Sequence, residues 1–121
     1  MNLAHTMIRV KDLERTLDFY TNFIGLRELR RKPIGDEATL VFLSDDSEAY
    51  VIELTHNHGK SDYTLGDQFG HLAFFTDDLA SVTAEVERRG WWYRGSRPEL
   101  SSKYIFLKDP NGYDVEILER L

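Results

Sequence analysis

His5-Thr6-Met7-Ile8-Arg9-Val10 alternates as a β-strand does, with His5, Met7 and Arg9 on one face and Thr6, Ile8 and Val10 on the other. The pattern returns at His71-Leu72-Ala73-Phe74-Phe75-Thr76, where His71, Ala73 and Phe75 share a face. Asp12 and Asp78 follow the two histidines at the same interval, each suited to cap a helix, and Leu13 and Leu79 come next. Leu13, Leu17, Tyr20 and Ile24 then form one helical stripe that stops near Gly25. Leu79, Val82 and Val86 form another that stops near Gly90. Glycine just past a helix end tolerates the left-handed backbone needed there. The chain therefore reads as a duplication.

β-type runs follow each helix: Arg27–Arg31, Ala38–Leu43 and Ala49–Thr55 in the first half, and Trp91–Arg94, Tyr104–Leu107 and Tyr113–Glu119 in the second. Asp109-Pro110-Asn111-Gly112 is a strong turn signal between the last two. Each half thus reads βαβββ. The expected fold is α+β, with two tandem βαβββ modules forming curved mixed sheets and helices on their outer side. One domain is expected over residues 1–121, with modules at about 1–58 and 67–121 joined through Thr55–Gly70.

Within Val51-Ile52-Glu53-Leu54-Thr55 the glutamate faces away from Ile52 and Leu54, and within Asp114-Val115-Glu116-Ile117-Leu118 it faces away from Val115 and Ile117. Alternation predicts that the apolar residues pack under the helices while Glu53 and Glu116 look onto the open side of the sheet. His5 and His71 can share that side. Each half then offers one imidazole and one carboxylate, and the four together make a suitable ligand set for a divalent metal. A strand glutamate among apolar neighbours can instead simply point to solvent, and a lone strand histidine is commonly structural. The repetition of the pair favours the metal.

Composition narrows the classes. The 121 residues suffice for one compact domain, and 41% hydrophobic content allows a real core. A formal charge of −6 without long Lys or Arg runs argues against nucleic acid and anionic membranes as partners. No apolar run is long enough to span a membrane, and no secretory leader is read at the start. The lack of cysteine excludes disulfides and thiolate catalysis and is compatible with a cytoplasmic location.

Further candidates surround the four ligands. Arg9 can hold a substrate carboxylate bidentately or stand as a solvated strand-end charge. Asn57 can donate to substrate or serve as a turn residue. His56 and His58 have no counterparts in the second half and are expected to be loop residues. Trp91-Trp92-Tyr93 is expected to pack in the core and at an interface rather than form a binding cage.

Along its whole length the chain resembles glyoxalase I of the vicinal oxygen chelate superfamily. The resemblance is carried by His5–Val10, Asp18-Phe19-Tyr20 with Gly25-Leu26, and Val51–Thr55 with Asn57. It continues through Phe69-Gly70-His71 and Asp109–Tyr113 into Val115-Glu116-Ile117. The turn marks only the superfamily, whereas the full His/Glu/His/Glu set with Ile52-Glu53-Leu54-Thr55 and Asn57 is more specific to glyoxalase I.

The resemblance implies a homodimer with active sites between subunits, where His5 and Glu53 of one chain meet His71 and Glu116 of the other. It implies the hemithioacetal of methylglyoxal and glutathione as substrate and S-D-lactoylglutathione as product, formed by proton transfer through an enediolate. Glu116 matches the principal base and Glu53 its partner on the opposite face. Arg9 and Asn57 match positions that bind glutathione. The short chain is similar to the type activated by Ni2+ or Co2+, with Zn2+ a further candidate.

Two features depart from the pattern. His58 stands where similar enzymes usually have tryptophan, and Arg97–Lys103 is shorter than the loop that helps enclose the thiol, where Lys103 is a candidate positive charge. The competing readings are another metalloenzyme of the superfamily, an epimerase or a thiol transferase, and a protein that sequesters a small molecule. Four retained ligands speak against the last.

Overall fold

Duplicated periodicity becomes duplicated topology. The structure, a computed structural model, describes residues 1–96 and 103–120, so residues 97–102, where a short loop is expected, lie outside the described residues. Two units are present, Met1–Thr64 and Leu65–Leu121. The first runs β1 (Thr6–Arg9), α1 (Leu13–Leu17), a π-helical segment (Asp18–Phe23), β2 (Arg27–Ile34), β3 (Ala38–Ser44) and β4 (Val51–Asn57). The second runs β5 (His71–Thr76), α2 (Leu79–Arg88), β6 (Tyr93–Gly95), β7 (Tyr104–Lys108) and β8 (Asp114–Glu119). Their sheets have orders β1-β4-β3-β2 and β5-β8-β7-β6. In each, the first strand pairs in parallel with the last and the other pairings are antiparallel. This is the βαβββ module twice.

Both helices start where the aspartates placed them. Asp12 accepts the Arg15 N–H at 3.1 Å, and Asp78 accepts that of Ser81 at 3.0 Å. The Ser81 hydroxyl and N–H also hold the Asp78 carboxyl below the usual carboxylate range. Gly25 and Gly90 close the helical stretches at φ +93° and +72°.

The first helix differs from the expected regular run to Gly25. After Leu17 it widens, and Ile24 N–H donates to Phe19 C=O, five residues back, at 2.9 Å. The wider turn accommodates burial of the adjacent Phe19 and Tyr20, whose rings pack edge-to-face at 4.9 Å.

Three strands also differ at their ends. β2 continues to Ile34 through Pro33, which an edge strand tolerates because it need not donate outward. β4 begins at Val51 and extends to Asn57 because β3 is long enough to pair Thr39 with His56 and Ala38 with Asn57. His56 is therefore a strand residue, not a loop residue. β6 begins only at Tyr93, since Trp91 N–H is still occupied closing α2 against Val86 C=O at 3.1 Å. Trp92, expected to pack, is 58% exposed.

The core faces follow the alternation. Ile8, Val10, Val41, Leu43 and Leu54 are buried in the first unit; Val86, Ile105, Leu107, Val115 and Ile117 are buried in the second. Leu54 lies on the central strand next to β1, so Leu54→Ala removes a fully enclosed side chain. It is expected to cost about 2–5 kcal/mol, read as a lowered denaturant midpoint at unchanged slope.

The second unit's register is set by its turn. Asp109 accepts the N–H groups of Asn111 and Tyr113 at 2.8 and 2.9 Å, and its backbone accepts that of Gly112 at 3.0 Å. With Asp109 and Asn111 buried and satisfied in this way, β8 pairs with β7 so that Glu116 stands opposite Phe106. No helix among the described residues is long and apolar enough to cross a membrane.

Candidate metal centre

Parallel pairing of the first and last strands brings each histidine to its glutamate. Met7 is the register partner of Glu53, and Ala73 that of Glu116. His5 and His71 lie two residues earlier in each case, hence on the same face. His5 Nε2 is 3.4 Å from Glu53 Oε1, and His71 Nε2 is 2.9 Å from Glu116 Oε2. The carboxylates are shielded, with side chains 12% and 15% exposed, while the imidazoles are 35% and 38% exposed. Glu53, His71 and Glu116 lie on strands, and His5 immediately precedes β1.

The separations suit a shared ion. With metal–ligand bonds of about 2.0–2.2 Å, neighbouring ligands lie about 3.0 Å apart at right angles and about 3.4 Å apart at the tetrahedral angle. Each pair has the chemistry and spacing of one edge of a coordination polyhedron. Among the described residues no three His, Cys, Asp or Glu side chains group as a metal site; each unit offers a pair.

The two pairs are not identical. Glu53 Oε2 also accepts the Thr55 hydroxyl at 2.7 Å. Leu118 takes the equivalent place two residues after Glu116 and has no hydroxyl to donate. Each imidazole also meets an aromatic ring edge-to-face, His5 with Phe42 at 5.7 Å and His71 with Phe106 at 4.9 Å. Those phenylalanines are the cross-strand partners of the two glutamates. Thr55, Phe42 and Phe106 did not stand out in the sequence as site residues. The only signal is their strand parity, which acquires meaning once the hairpins set the register.

The remaining candidates fall as follows. Arg9 is exposed on β1, on the His5 and Met7 face. Asn57 ends β4, and its side-chain amide donates to the Tyr63 hydroxyl at 2.8 Å, a partner unnoticed in the sequence. Lys103 is exposed, with its ammonium 3.8 Å from the Glu119 carboxylate rather than near Glu116. His58 lies just beyond β4 with both ring nitrogens engaged. Nδ1–H donates to Asp36 C=O at 2.9 Å, and Nε2 is 2.9 Å from the Thr39 hydroxyl. His56 packs against the His58 ring at 5.3 Å.

Two similar βαβββ units that each present a histidine–glutamate pair define a class. Residues 2–117 match the family model of the Glyoxalase/Bleomycin resistance protein/Dioxygenase superfamily. The chain is 37% identical to the lactoylglutathione lyase of Neisseria meningitidis serogroup A, over 99% of this chain and 91% of that one. It is 40% identical to a probable lactoylglutathione lyase of Synechocystis, over 98% and 95%. Among solved structures it matches the trypanothione-dependent glyoxalase I of Leishmania major with a TM-score of 0.83 at 34% identity, covering 98% of this chain and 86% of that one. The chain belongs to this superfamily and, within it, to the lactoylglutathione lyase (glyoxalase I) family of enzymes.

Proposed function

We propose that the protein is a metal-dependent lactoylglutathione lyase that isomerises the hemithioacetal of methylglyoxal and glutathione to S-D-lactoylglutathione. The observation that carries this reading is the His/Glu pair repeated at one register in both units of a chain of this family. His5 and Glu53 would hold the ion together with the partner subunit's His71 and Glu116, giving a homodimer two equivalent sites. Ni2+ or Co2+ is the ion we assign, with Zn2+ as the alternative. When bound, it supplies electrostatic stabilisation of negative charge developing on the substrate oxygens.

The chain's own residues carry the proton. The reaction moves one proton between neighbouring carbons and one between their oxygens, from the hydroxyl to the former carbonyl, with no net redox change and no organic cofactor. Glu116 takes the proton from the carbon bearing sulfur and returns it to the former carbonyl carbon. Among the described residues its carboxylate accepts no hydroxyl, whereas that of Glu53 does. Glu53 already accepts the Thr55 hydroxyl on one of its two oxygens, Oε2, at 2.7 Å. Glu53 therefore serves as ligand and as the carboxylate on the opposite face. Arg9 and Asn57 hold the thiol part, with Tyr63 fixing the Asn57 amide so that its carbonyl is left for substrate donors. Lys103 is a further cation for it. Such a substrate forms where glutathione is abundant, so we assign the protein to the cytoplasm.

The test is metal content together with turnover. After chelation and reloading, about one divalent ion per chain is expected. The loaded protein should form thioester from methylglyoxal plus glutathione, followed by ultraviolet absorbance. Absence of a stoichiometric site overturns the metal reading. Turnover with trypanothione but not glutathione would change the thiol and keep the chemistry.

A further inference from the structure

The cross-strand register carries the duplication one strand further than the metal ligands. Arg30 pairs with Phe42, which pairs with Glu53; Arg94 pairs with Phe106, which pairs with Glu116. In both units the guanidinium lies over the phenylalanine ring, with its carbon 3.9 Å from the Phe42 centroid and 4.3 Å from that of Phe106. The same rings meet the ligand histidines. Each unit thus presents one row, Arg–Phe–Glu, with the histidine beside it.

Arg30 and Arg94 are exposed, and among the described residues neither has a carboxylate partner. Other arginines do: Arg27 pairs with Glu48 at 2.7 Å, Arg31 with Glu28 at 2.8 Å and Arg120 with Asp77 at 3.2 Å. In a chain with 21 acidic residues against 15 basic, two equivalently placed arginines on the ligand face have no acid beside them among the described residues. A guanidinium lying on an aromatic ring is held by its face and keeps its N–H edges free for a carboxylate fork.

Spacing says which carboxylate. Arg30 and Arg94 stand two strands from the glutamates, about 10 Å away at the usual strand separation. That is beyond the reacting three-carbon unit and within reach of the arms of a peptide thiol. Resting on the function proposed above, we infer that Arg30 and Arg94 are specificity-determining residues that bind the carboxylates of the thiol carrier. In a two-subunit site each metal would be flanked by one Arg30 and one partner Arg94, matching the two carboxylates of glutathione.

The test compares S-methylglutathione with its dimethyl ester by calorimetry on the nickel-loaded protein. Wild type, Arg30→Gln and Arg94→Gln are measured, with metal content and turnover followed in parallel. The wild type is expected to bind the diacid at least 10-fold more tightly than the diester. Each variant should lose most of one carboxylate's share of that preference with its nickel retained, an effect that a merely structural arginine would not give. Two outcomes overturn the inference while leaving the lyase reading intact: turnover without preference for the diacid, or a preference undiminished in both variants. Absence of both turnover and diacid binding in the wild type overturns the two together.

Discussion

Glu116→Gln is expected to lower kcat by roughly 10²- to 10⁴-fold, the range that a positioned general base contributes. The amide keeps an oxygen for the ion but cannot accept a proton, so metal content should stay near that of the wild type. The loss should appear in kcat and kcat/KM together, as for an interaction made in the transition state. Glu53→Gln is expected to lose less in kcat, because that carboxylate is already committed to the Thr55 hydroxyl. Steady-state kinetics on both variants, each with nickel quantified, checks this. Near wild-type kcat in Glu116→Gln would remove Glu116 from the base role. An equal loss in both variants would mean that the Thr55 bond does not separate their roles.

Much of this site could be read from the chain because strand parity and duplication are local properties. His5 and Glu53 needed only the face they occupy, and a parallel first-to-last pairing then brings them to 3.4 Å. The Asp12 and Asp78 caps were equally legible, since a cap acts within one helical turn. What escaped depends on distant neighbours. The π-helical widening arises because Phe19 and Tyr20 are both buried, which a single-stripe helical reading does not anticipate. The end of β4 is set by the length of β3, which pulled His56 into a strand.

The Arg–Phe–Glu rows were invisible for the same reason. Arg30 and Glu53 belong to one row only when two hairpin registers are known, and the first includes a shift between Glu28 and Arg30. Trp92 differs in the core part of its expected core and interface packing: the closing hydrogen bond of α2 delays β6 and leaves the ring exposed on this chain.

Mixing two inactive chains is expected to restore activity if each site draws on two subunits. His5→Ala removes an imidazole ligand and Glu116→Gln removes the proposed base, so each homodimer has both of its sites damaged. In a heterodimer one site combines the altered His5 position of one chain with the altered Glu116 position of the other. The second site then receives intact residues from both. Random reassortment makes about half the dimers mixed, each with one intact site of two, so about a quarter of wild-type activity should return in a two-fold symmetric assembly. Co-expression with distinguishable tags, or refolding the two variants together, supplies the mixture, and purified heterodimers should reach about half. Zero recovery in heterodimers verified by mass and loaded with nickel would place each site within a single chain. The pairs themselves would remain, at 3.4 and 2.9 Å, but the assignment of His71 and Glu116 to a partner's site would fall.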